Sequence, residues 1–289
     1  MRLRWLYGIL IVQQTLAAGT FLAAKWALLD FPPLPLAFVR FFIASTGLYL
    51  IHRFWPGRKP VERSDWPALL LLSFLIVPVN QAFFLYGMKY TTPTHAALLY
   101  GMTPVLVFVM AIIMLGERPT LMKKIGIPIA FAGVAVVISQ KGLAWSPKAR
   151  LGDFLVFMAV IAWAVTIILG KRLIARYGAV HLTAIAMVVG TALFIPVGVF
   201  TVGSVNFAAV SARGWWSLMY IAVGTSVIVY PIWFWALGRL EATKVSIFAN
   251  LQPVVAAILS YFFLGEQIGA RLIVGGALVI LGVLLTERG

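Results

Sequence analysis

The chain contains no cysteine and few acidic residues. Its 289 residues include 8 Asp and Glu, 3 His and no Cys, against 23 Lys and Arg. The lack of Cys excludes disulfides and thiolate chemistry. The acids and histidines are scattered, without the spacing that a catalytic group or a metal site requires. We therefore expect no enzyme activity, no metal site and no cofactor.

Charged residues of either sign are also scarce, at 11%, whereas hydrophobic residues make up 62% of the chain and the mean hydropathy is +1.01. A water-soluble domain of this size could not bury so much apolar surface. A membrane-spanning helix needs about 20 mostly apolar residues, and several stretches approach or exceed that length. The sequence therefore predicts an all-α integral membrane protein in a lipid bilayer.

Ten apolar stretches are separated by short polar connections, and we predict that each forms a transmembrane helix. They run roughly over residues 5–28, 34–51, 68–88, 95–115, 121–139, 154–174, 181–201, 215–237, 245–264 and 268–285.

The basic residues lie mainly in the loops between these spans. A formal net charge of +15 could indicate nucleic acid as a partner in a soluble protein, but here no basic face could reach a duplex. With the amino terminus inside, the inner segments carry roughly twice as many Lys and Arg as the outer ones. We therefore predict a bacterial-type inner-membrane protein with both termini in the cytoplasm. The basic outer loop 140–153 departs from this pattern.

One stretch, residues 90–139, recurs 149 residues later without a gap. Thr103-Pro104-Val105 matches Gln252-Pro253-Val254, and Leu115-Gly116-Glu117 matches Leu264-Gly265-Glu266. Because five spans is an odd number, the second copy must enter the membrane in the opposite orientation. The sequence therefore predicts two inverted five-helix repeats, residues 1–140 and 150–289.

These residues carry a family resemblance over essentially the whole chain. Lys25 and Arg40 in the first two spans, Trp163 in the sixth, and both Leu-Gly-Glu turns with their glycine-spaced helices resemble EamA-type members of the drug/metabolite transporter superfamily. The resemblance implies ten helices and the export of amino acids or similar metabolites. The membrane-embedded glutamate of the small multidrug-resistance relatives has no counterpart here.

Polar side chains within the spans are costly unless they face a partner helix, a water-filled cavity or a substrate. Gln13 and Thr20 share one helical face, as do Trp163 and Thr166, and the repeat relates these two faces. Prolines at 78, 104, 231 and 253 interrupt helical hydrogen bonding near other polar residues. We predict a polar, aromatic-lined site between the halves, although packing or interhelical hydrogen bonds could account for single residues. Its candidate residues are Gln13, Thr20, Asn80, Gln81, Tyr100, Thr103, Trp163, Thr166, Tyr230, Trp233, Asn250 and Gln252.

Lys25, Arg40 and His95 are candidates for attracting an anionic group or for gating. Arg40 lies deep enough in its span to need a partner, which could be a helix-end carbonyl, Asp30 or an anionic group of the substrate. Lys25 lies in the last turn of its span and could simply extend to the membrane surface.

Together these features predict a monomeric carrier that moves a small polar metabolite by alternating access. The aromatic residues favour an aromatic or amphipathic amino acid as the exported substrate. The alternative is uptake or exchange of another small metabolite, such as a sugar or an organic anion with Arg40 as its counter-charge. Recognition is expected to depend more on Asn250 and Gln252 than on Gly101 and Thr103, the matching residues of the first half.

Overall fold

The computed structural model describes residues 3–55, 59–138, 147–264 and 270–289, and these are helical almost throughout. The helices are α1 (Leu3–Asp30), α2 (Pro33–Arg53), α3 (Trp66–Phe74), α4 (Asn80–Tyr90), α5 (Pro93–Gly101), α6 (Thr103–Leu115), α7 (Leu121–Ile138), α8 (Pro147–Tyr177), α9 (Ala179–Val202), α10 (Ala212–Met219), α11 (Tyr230–Leu237), α12 (Ala242–Ser246), α13 (Leu251–Leu264) and α14 (Ala270–Arg288). No strand occurs in this part of the chain, which confirms the all-α prediction. The second Leu-Gly-Glu turn, with Gly265 and Glu266, lies outside the described residues.

Four prolines lie at departures from α-helical geometry, as the sequence predicts. Pro78 lies within a π-helical segment, Leu75–Val79, and Pro231 directly follows the start of α11 after a second one, Tyr220–Val229. Pro104 follows the break at Met102, and Pro253 follows a 3₁₀ segment, Ile247–Asn250. Proline has no N–H to donate, so the preceding turn must change its hydrogen bonding. Two further 3₁₀ segments are Arg63–Asp65 and Phe207–Ala209.

Seven helical stretches of the described chain are long and apolar enough to cross a membrane. They are Trp5–Asp30, Pro33–Arg53, Arg63–Tyr90, Pro147–Tyr177, Ala179–Val202, Ala212–Leu237 and Ala242–Phe263. Two shorter apolar helices, Leu99–Leu115 and Ile273–Thr286, overlap the fourth and tenth predicted spans. The chain is therefore an integral membrane protein with several spans, and the total of ten stays a prediction.

Two backbone features explain where particular helices begin and end. Pro33 occupies the first position of α2, where its missing N–H costs nothing. Gly116, in the first Leu-Gly-Glu turn, ends α6 with a φ of 69°, a left-handed conformation that favours glycine. The turn expected at this position is therefore present.

Helices α7 and α14 pack so closely that their backbones touch. A Cβ atom at Gly126 would lie 2.7 Å from the carbonyl oxygen of Gly282, and one at Gly133 would lie 2.6 Å from that of Gly275. The order of the contacts is crossed, because the earlier glycine of each helix meets the later glycine of the other. The two helices therefore run antiparallel, with glycines permitting the close approach.

Lysine side chains bind backbone carbonyls at the carboxyl ends of two other helices. The ammonium group of Lys25 donates to the carbonyls of Met88 and Thr91, each at 2.8 Å. The ammonium group of Lys171 donates to the carbonyls of Leu237 at 2.7 Å and Leu240 at 2.5 Å. A cation is stabilised at the carboxyl end of a helix, where the last carbonyls lack internal donors.

The carboxylate of Glu117 binds the start of α12. It accepts hydrogen bonds from the backbone N–H groups of Ala242 at 2.5 Å and Thr243 at 3.3 Å, and from the Thr243 hydroxyl at 2.6 Å. Lys123, which is buried, pairs with Glu117 at 3.9 Å and also with Glu241. These contacts join the end of α6 to the connection between α11 and α12.

Candidate functional site

A polar cavity lies between two clusters of buried apolar side chains. Along α1, the first cluster includes Leu10 and the second includes Phe21 and Ala24. The cavity-lining polar residues of α1 lie between them. Because α1 has 28 residues, about 42 Å at 1.5 Å per residue, the cavity lies near the middle of this helix.

The cavity has a volume of about 90 Å³ and receives side chains from both halves of the chain. Its lining residues are Gln13, Gln14, Ala17, Thr20, Phe21, Arg40, Asn80, Gln81, Phe84, Tyr100, Trp163, Thr225, Val229, Tyr230, Trp233, Ala249 and Gln252.

Arg40 is the cation of this lining, and its side chain is only 2% exposed. Its Nε donates to the carbonyl of Ile221 at 3.0 Å and its Nη1 donates to Oε1 of Gln81 at 2.7 Å. Its Nη2 donates to the Thr225 hydroxyl at 3.0 Å. These acceptors are all neutral, and no ion pair within the described part of the chain includes Arg40. The guanidinium is therefore held firmly, while no acid of the described segments compensates its charge.

The π-helical segment Tyr220–Val229 supplies most of the groups that hold Arg40. Its wider turns leave the Ile221 carbonyl able to accept from Arg40 and also from the hydroxyls of Thr225 at 2.6 Å and Ser226 at 3.0 Å. The Ser226 hydroxyl also accepts from Nε of Arg40 at 3.1 Å. Short π-helical segments occur frequently at functional sites.

Asp30, one of the partners expected for Arg40, lies elsewhere. Its carboxylate accepts hydrogen bonds from the Ser211 hydroxyl at 2.5 Å and from the Ser211 backbone N–H at 3.2 Å, just before α10. Of the alternatives considered for Arg40, Asp30 is thus not its partner, because Asp30 binds at the start of another helix. Arg40 does bind a backbone carbonyl, but that of Ile221 lies within the π-helical segment and not at a helix end.

A chain of amide groups links Arg40 to two tyrosines. Nε2 of Gln81 donates to Oδ1 of Asn80 at 2.6 Å and to the Tyr230 hydroxyl at 3.4 Å. Nδ2 of Asn80 donates to the Tyr100 hydroxyl at 3.2 Å and to the carbonyl of Ala159 at 2.7 Å. Since both tyrosine oxygens accept, their own O–H groups remain available to donate.

An aromatic wall forms another side of the cavity. The ring of Trp163 lies edge-on to Tyr230, with 5.4 Å between ring centroids, and 5.9 Å from Trp233. Trp233 is 2% exposed, and within the described part of the chain its indole N–H has no hydrogen-bond partner. The wall therefore offers apolar ring faces together with one unused donor.

Glutamine side chains of α1 and α13 complete the lining. Nε2 of Gln252 donates to Oε1 of Gln14 at 2.5 Å. Nε2 of Gln14 and Oε1 of Gln13 are buried without a hydrogen-bond partner among the described residues. An unsatisfied buried polar atom costs about 1–3 kcal/mol, and such groups in a cavity are typical of a site that binds a polar ligand.

The cavity thus gathers most of the residues that the sequence singles out. The predicted site residues that line it are Gln13, Thr20, Asn80, Gln81, Tyr100, Trp163, Tyr230, Trp233 and Gln252, with the cation Arg40.

Four predicted residues lie away from the lining. The Thr166 hydroxyl donates to the carbonyl of Ala162 in its own helix, at 2.9 Å. Thr103 and Asn250 are buried, and no residue that the structure describes forms a hydrogen bond with their side-chain polar atoms. Lys25 binds the helix-end carbonyls described above. The side chain of His95 lies outside the described residues.

Sequence reasoning missed Gln14, Thr225 and Ser226 as members of the site. Gln14 adjoins Gln13, and both lie in the lining. Thr225 and Ser226 are adjacent in the sequence, yet both bind Arg40 and the Ile221 carbonyl that accepts from it. Adjacent side chains of an α-helix point in different directions, so a helical projection does not predict this. The signal available in the sequence was the run of polar side chains within an apolar span, Thr225-Ser226, just before Pro231.

Comparison with known proteins agrees with this architecture. The EamA-like transporter family model matches the chain twice, at residues 4–139 and 150–288. An uncharacterized transporter of Archaeoglobus fulgidus is 31% identical over 280 residues, which cover 96% of each chain. The uncharacterized transporter YyaM of Bacillus subtilis is 32% identical over 282 residues, 96% of this chain and 92% of the relative.

One further relative has a named activity, and one solved structure has a similar fold. A probable terminal-alkyne amino-acid exporter of Streptantibioticus cattleyicolor is 28% identical over 271 residues, 94% of this chain and 89% of the relative. A solved crystal structure superimposes with a TM-score of 0.78 at 17% identity and covers 98% of this chain and 96% of its own. That structure shares the fold. Because the two family matches together span nearly the whole chain, the protein belongs to the EamA-like transporter family and is a multi-pass membrane transporter.

Proposed function

We propose that the chain is a secondary transporter that exports small metabolites bearing a carboxylate, chiefly amino acids, by alternating access. The observation that carries this proposal is the uncompensated charge of Arg40 in the cavity lining. A buried cation without an acidic partner is costly in a membrane, and a carboxylate of the substrate would remove that cost. A cationic substrate would add to it.

The donors of the cavity favour the same class of substrate. The indole N–H of Trp233, Nε2 of Gln14 and the hydroxyls of Tyr100 and Tyr230 can all donate, as can the N–H groups of Arg40 that its four acceptors leave unused. The unpartnered acceptor is Oε1 of Gln13, which suits an ammonium group. This combination fits an α-amino acid, with the aromatic wall against its side chain.

The alternating-access mechanism is supported by equivalences between the two halves. Lys25 and Lys171 bind helix ends in the same way, and the crossed glycine contacts of α7 and α14 are what a pseudo-two-fold axis would produce. We therefore propose ten helices in two inverted repeats, with both termini in the cytoplasm of a bacterial inner membrane. We propose that one copy of the chain suffices, since both walls of the cavity come from it.

A matched set of three compounds tests the proposal in proteoliposomes. L-Phenylalanine, phenethylamine and 3-phenylpropanoate share one aromatic ring and differ in their charged groups. We expect counterflow of radiolabelled L-phenylalanine, none of phenethylamine, and loss of at least tenfold in Arg40→Gln. Lys124→Gln, at an exposed position on α7, is the control and should behave as wild type.

The same assay distinguishes the proposed exporter from the alternative, an importer or exchanger of organic anions. That alternative is favoured by the same residue, Arg40. Faster counterflow of 3-phenylpropanoate than of L-phenylalanine would support it, as would net inward movement in intact cells. Counterflow of phenethylamine at the rate of L-phenylalanine would overturn both, because neither allows a substrate without a carboxylate.

A further inference from the structure

The carboxyl ends of α1 and α8 each bind the start of a helix in the other half of the chain. In the α1–α10 contact, the carboxylate of Asp30 accepts from the backbone N–H of Ser211, just before α10, at 3.2 Å. In the α8–α3 contact, the Tyr177 hydroxyl accepts from the backbone N–H of Glu62, just before the 3₁₀ turn that leads into α3, at 3.1 Å. Both contacts therefore join one half of the chain to the other.

The two contacts are made by equivalent parts of the repeat. Glu62 and Ser211, which supply the two backbone donors, are separated by the repeat length of 149 residues. Asp30 and Arg176, the neighbour of Tyr177, each lie five residues after one of the helix-end lysines described above. The side chains differ, but the same backbone N–H is bound by the same helix end in each half.

The two contacts lie at opposite ends of the molecule. Lys25, near the end of α1, binds the carbonyl of Thr91, and the Thr91 hydroxyl donates to the carboxylate of Asp153 in the second turn of α8. The end of α1 therefore lies beside the start of α8. Because α8 has 31 residues, about 46 Å at 1.5 Å per residue, Tyr177 lies on the far side of the molecule from Asp30.

From this arrangement we infer that the α1–α10 and α8–α3 contacts are the two gates of the transporter, and that the structure is its occluded conformation, with both gates closed. The inference rests on the proposed alternating access. When inverted repeats rock against each other, the motion that opens one end closes the other, so each open conformation lacks one contact and keeps its equivalent. The burial of the cavity lining agrees with an occluded conformation, since Arg40 and Trp233 are each only 2% exposed.

The α8–α3 end is held by additional contacts. Nη1 of Arg176 donates to both carboxylate oxygens of Asp65 at 2.8 Å, and the Tyr177 hydroxyl donates to one of them at 2.6 Å. The ring of His181 lies 6.1 Å from that of Tyr177 and shares a hydrogen bond of 2.6 Å with His52 of the first half. Within the described residues, the α1–α10 contact has no ion pair. Since charge-assisted hydrogen bonds are the stronger ones, we expect the α1–α10 end to open more readily.

The lack of cysteine allows spin labels to be attached only where cysteines are introduced. Phe54→Cys with Ala175→Cys places one label in each half at the α8–α3 end, and Leu29→Cys with Trp216→Cys does the same at the α1–α10 end. All four positions are exposed. Double electron–electron resonance on the protein in lipid nanodiscs then measures the distance between the halves at each end.

Proline substitutions at the equivalent positions remove the backbone donors. Glu62 and Ser211 have φ values of −66° and −65°, which proline adopts without strain. Ser211→Pro removes both donors to Asp30. At the other end, Glu62→Pro is combined with Asp65→Ala and His52→Ala, because further contacts hold that end.

Each substitution should open its own end alone. We expect Ser211→Pro to lengthen the distance at the α1–α10 end by about 5 Å, the scale of helix displacements in switching transitions, without lengthening the distance at the α8–α3 end. The triple variant should do the reverse. Wild type and Lys124→Gln, the exposed control, should show one short distance at each end. If a proline variant folds poorly, Asp30→Ala, or Asp65→Ala with His52→Ala, takes its place.

The inference is overturned if neither distance changes in the variants, or if one variant lengthens both distances. Opening of each end by its own variant supports it. The distances are measured without substrate, so counterflow of L-phenylalanine by wild type tests the proposed function separately. Separate opening of the two ends without counterflow would overturn the amino-acid substrate and leave the gates in place.

Discussion

Lys25 and Lys171 occupy equivalent positions in the two halves of the chain. Each ammonium group binds two carbonyls at the end of a helix, and the acceptors, Met88 with Thr91 and Leu237 with Leu240, are themselves separated by the repeat length. Among the residues that the structure describes, neither lysine has an acid as its hydrogen-bond acceptor. Their contacts thus assign both to holding helices rather than to the cavity.

Replacing either lysine should therefore lower stability by a similar amount. We expect Lys25→Met and Lys171→Met each to reduce the free energy of unfolding by about 1.5–3 kcal/mol, the usual contribution of a hydrogen bond to a charged group. Thermal unfolding in a fixed detergent would measure this, with Lys124→Met as an exposed control. A large effect in one variant and none in the other would contradict the equivalence.

The glycine contacts of α7 and α14 predict a second stability effect. In Gly133→Ala, the new methyl group would lie 2.6 Å from the Gly275 carbonyl oxygen, so the helices must separate. We expect a loss of about 1–3 kcal/mol, measured as a lower midpoint of thermal unfolding. Gly8→Ala, where the methyl group meets open space, should leave the midpoint unchanged or raise it slightly. Equal midpoints for the two variants would argue against backbone contact at Gly133.

The positive charge of Arg40 and its hydrogen-bonding geometry can be tested separately. Arg40→Lys keeps the positive charge but cannot reach the Ile221 carbonyl and the Gln81 amide at once. We expect this variant to retain counterflow of L-phenylalanine with a raised KM, whereas Arg40→Gln loses it. Both variants should unfold at a lower temperature than wild type, because buried acceptors lose their donor. Equal loss of transport in both would mean that geometry, not charge, is required.

The two halves differ at the matching positions Gln252 and Thr103, and we expect substitutions there to reduce transport by different amounts. Gln252 lines the cavity and binds Gln14, whereas Thr103, its counterpart in the repeat, is buried away from the lining. We expect Gln252→Ala to reduce counterflow at least tenfold and Thr103→Val, which keeps the side-chain shape, to leave it near wild type. Rates measured at the same protein density in proteoliposomes would show the difference. A greater loss in Thr103→Val would reverse the expected asymmetry.

Much of this architecture follows from the sequence because a bilayer imposes simple rules. The long apolar stretches predict the helices, and the four prolines predict where α-helical geometry fails. A buried Arg40 demands acceptors, which Gln81 and Thr225 provide.

Other parts of the site depend on packing between distant parts of the chain, which the spacing of residues in the sequence does not reveal. Thr166 shares the predicted cavity face of its helix, yet its hydroxyl satisfies itself on Ala162, since a threonine can bond a carbonyl four residues earlier. Lys25 finds acceptors 63 and 66 residues away, which only the packed fold brings near. The side-chain partner of Asp30 is likewise a residue 181 positions distant.

The π-helical segment Tyr220–Val229 has a consequence for comparing relatives by alignment. Such a segment holds more residues per turn than an α-helix, so removing one residue would let it rewind. Because the wider turns accommodate the extra residue, the helix on either side would keep nearly the same orientation, and the change would fall on the segment itself. Thr225 and Ser226 could then no longer both bind Arg40. A one-residue gap across this segment therefore marks relatives that have rebuilt the acceptors of Arg40, even where every other residue of the cavity is the same.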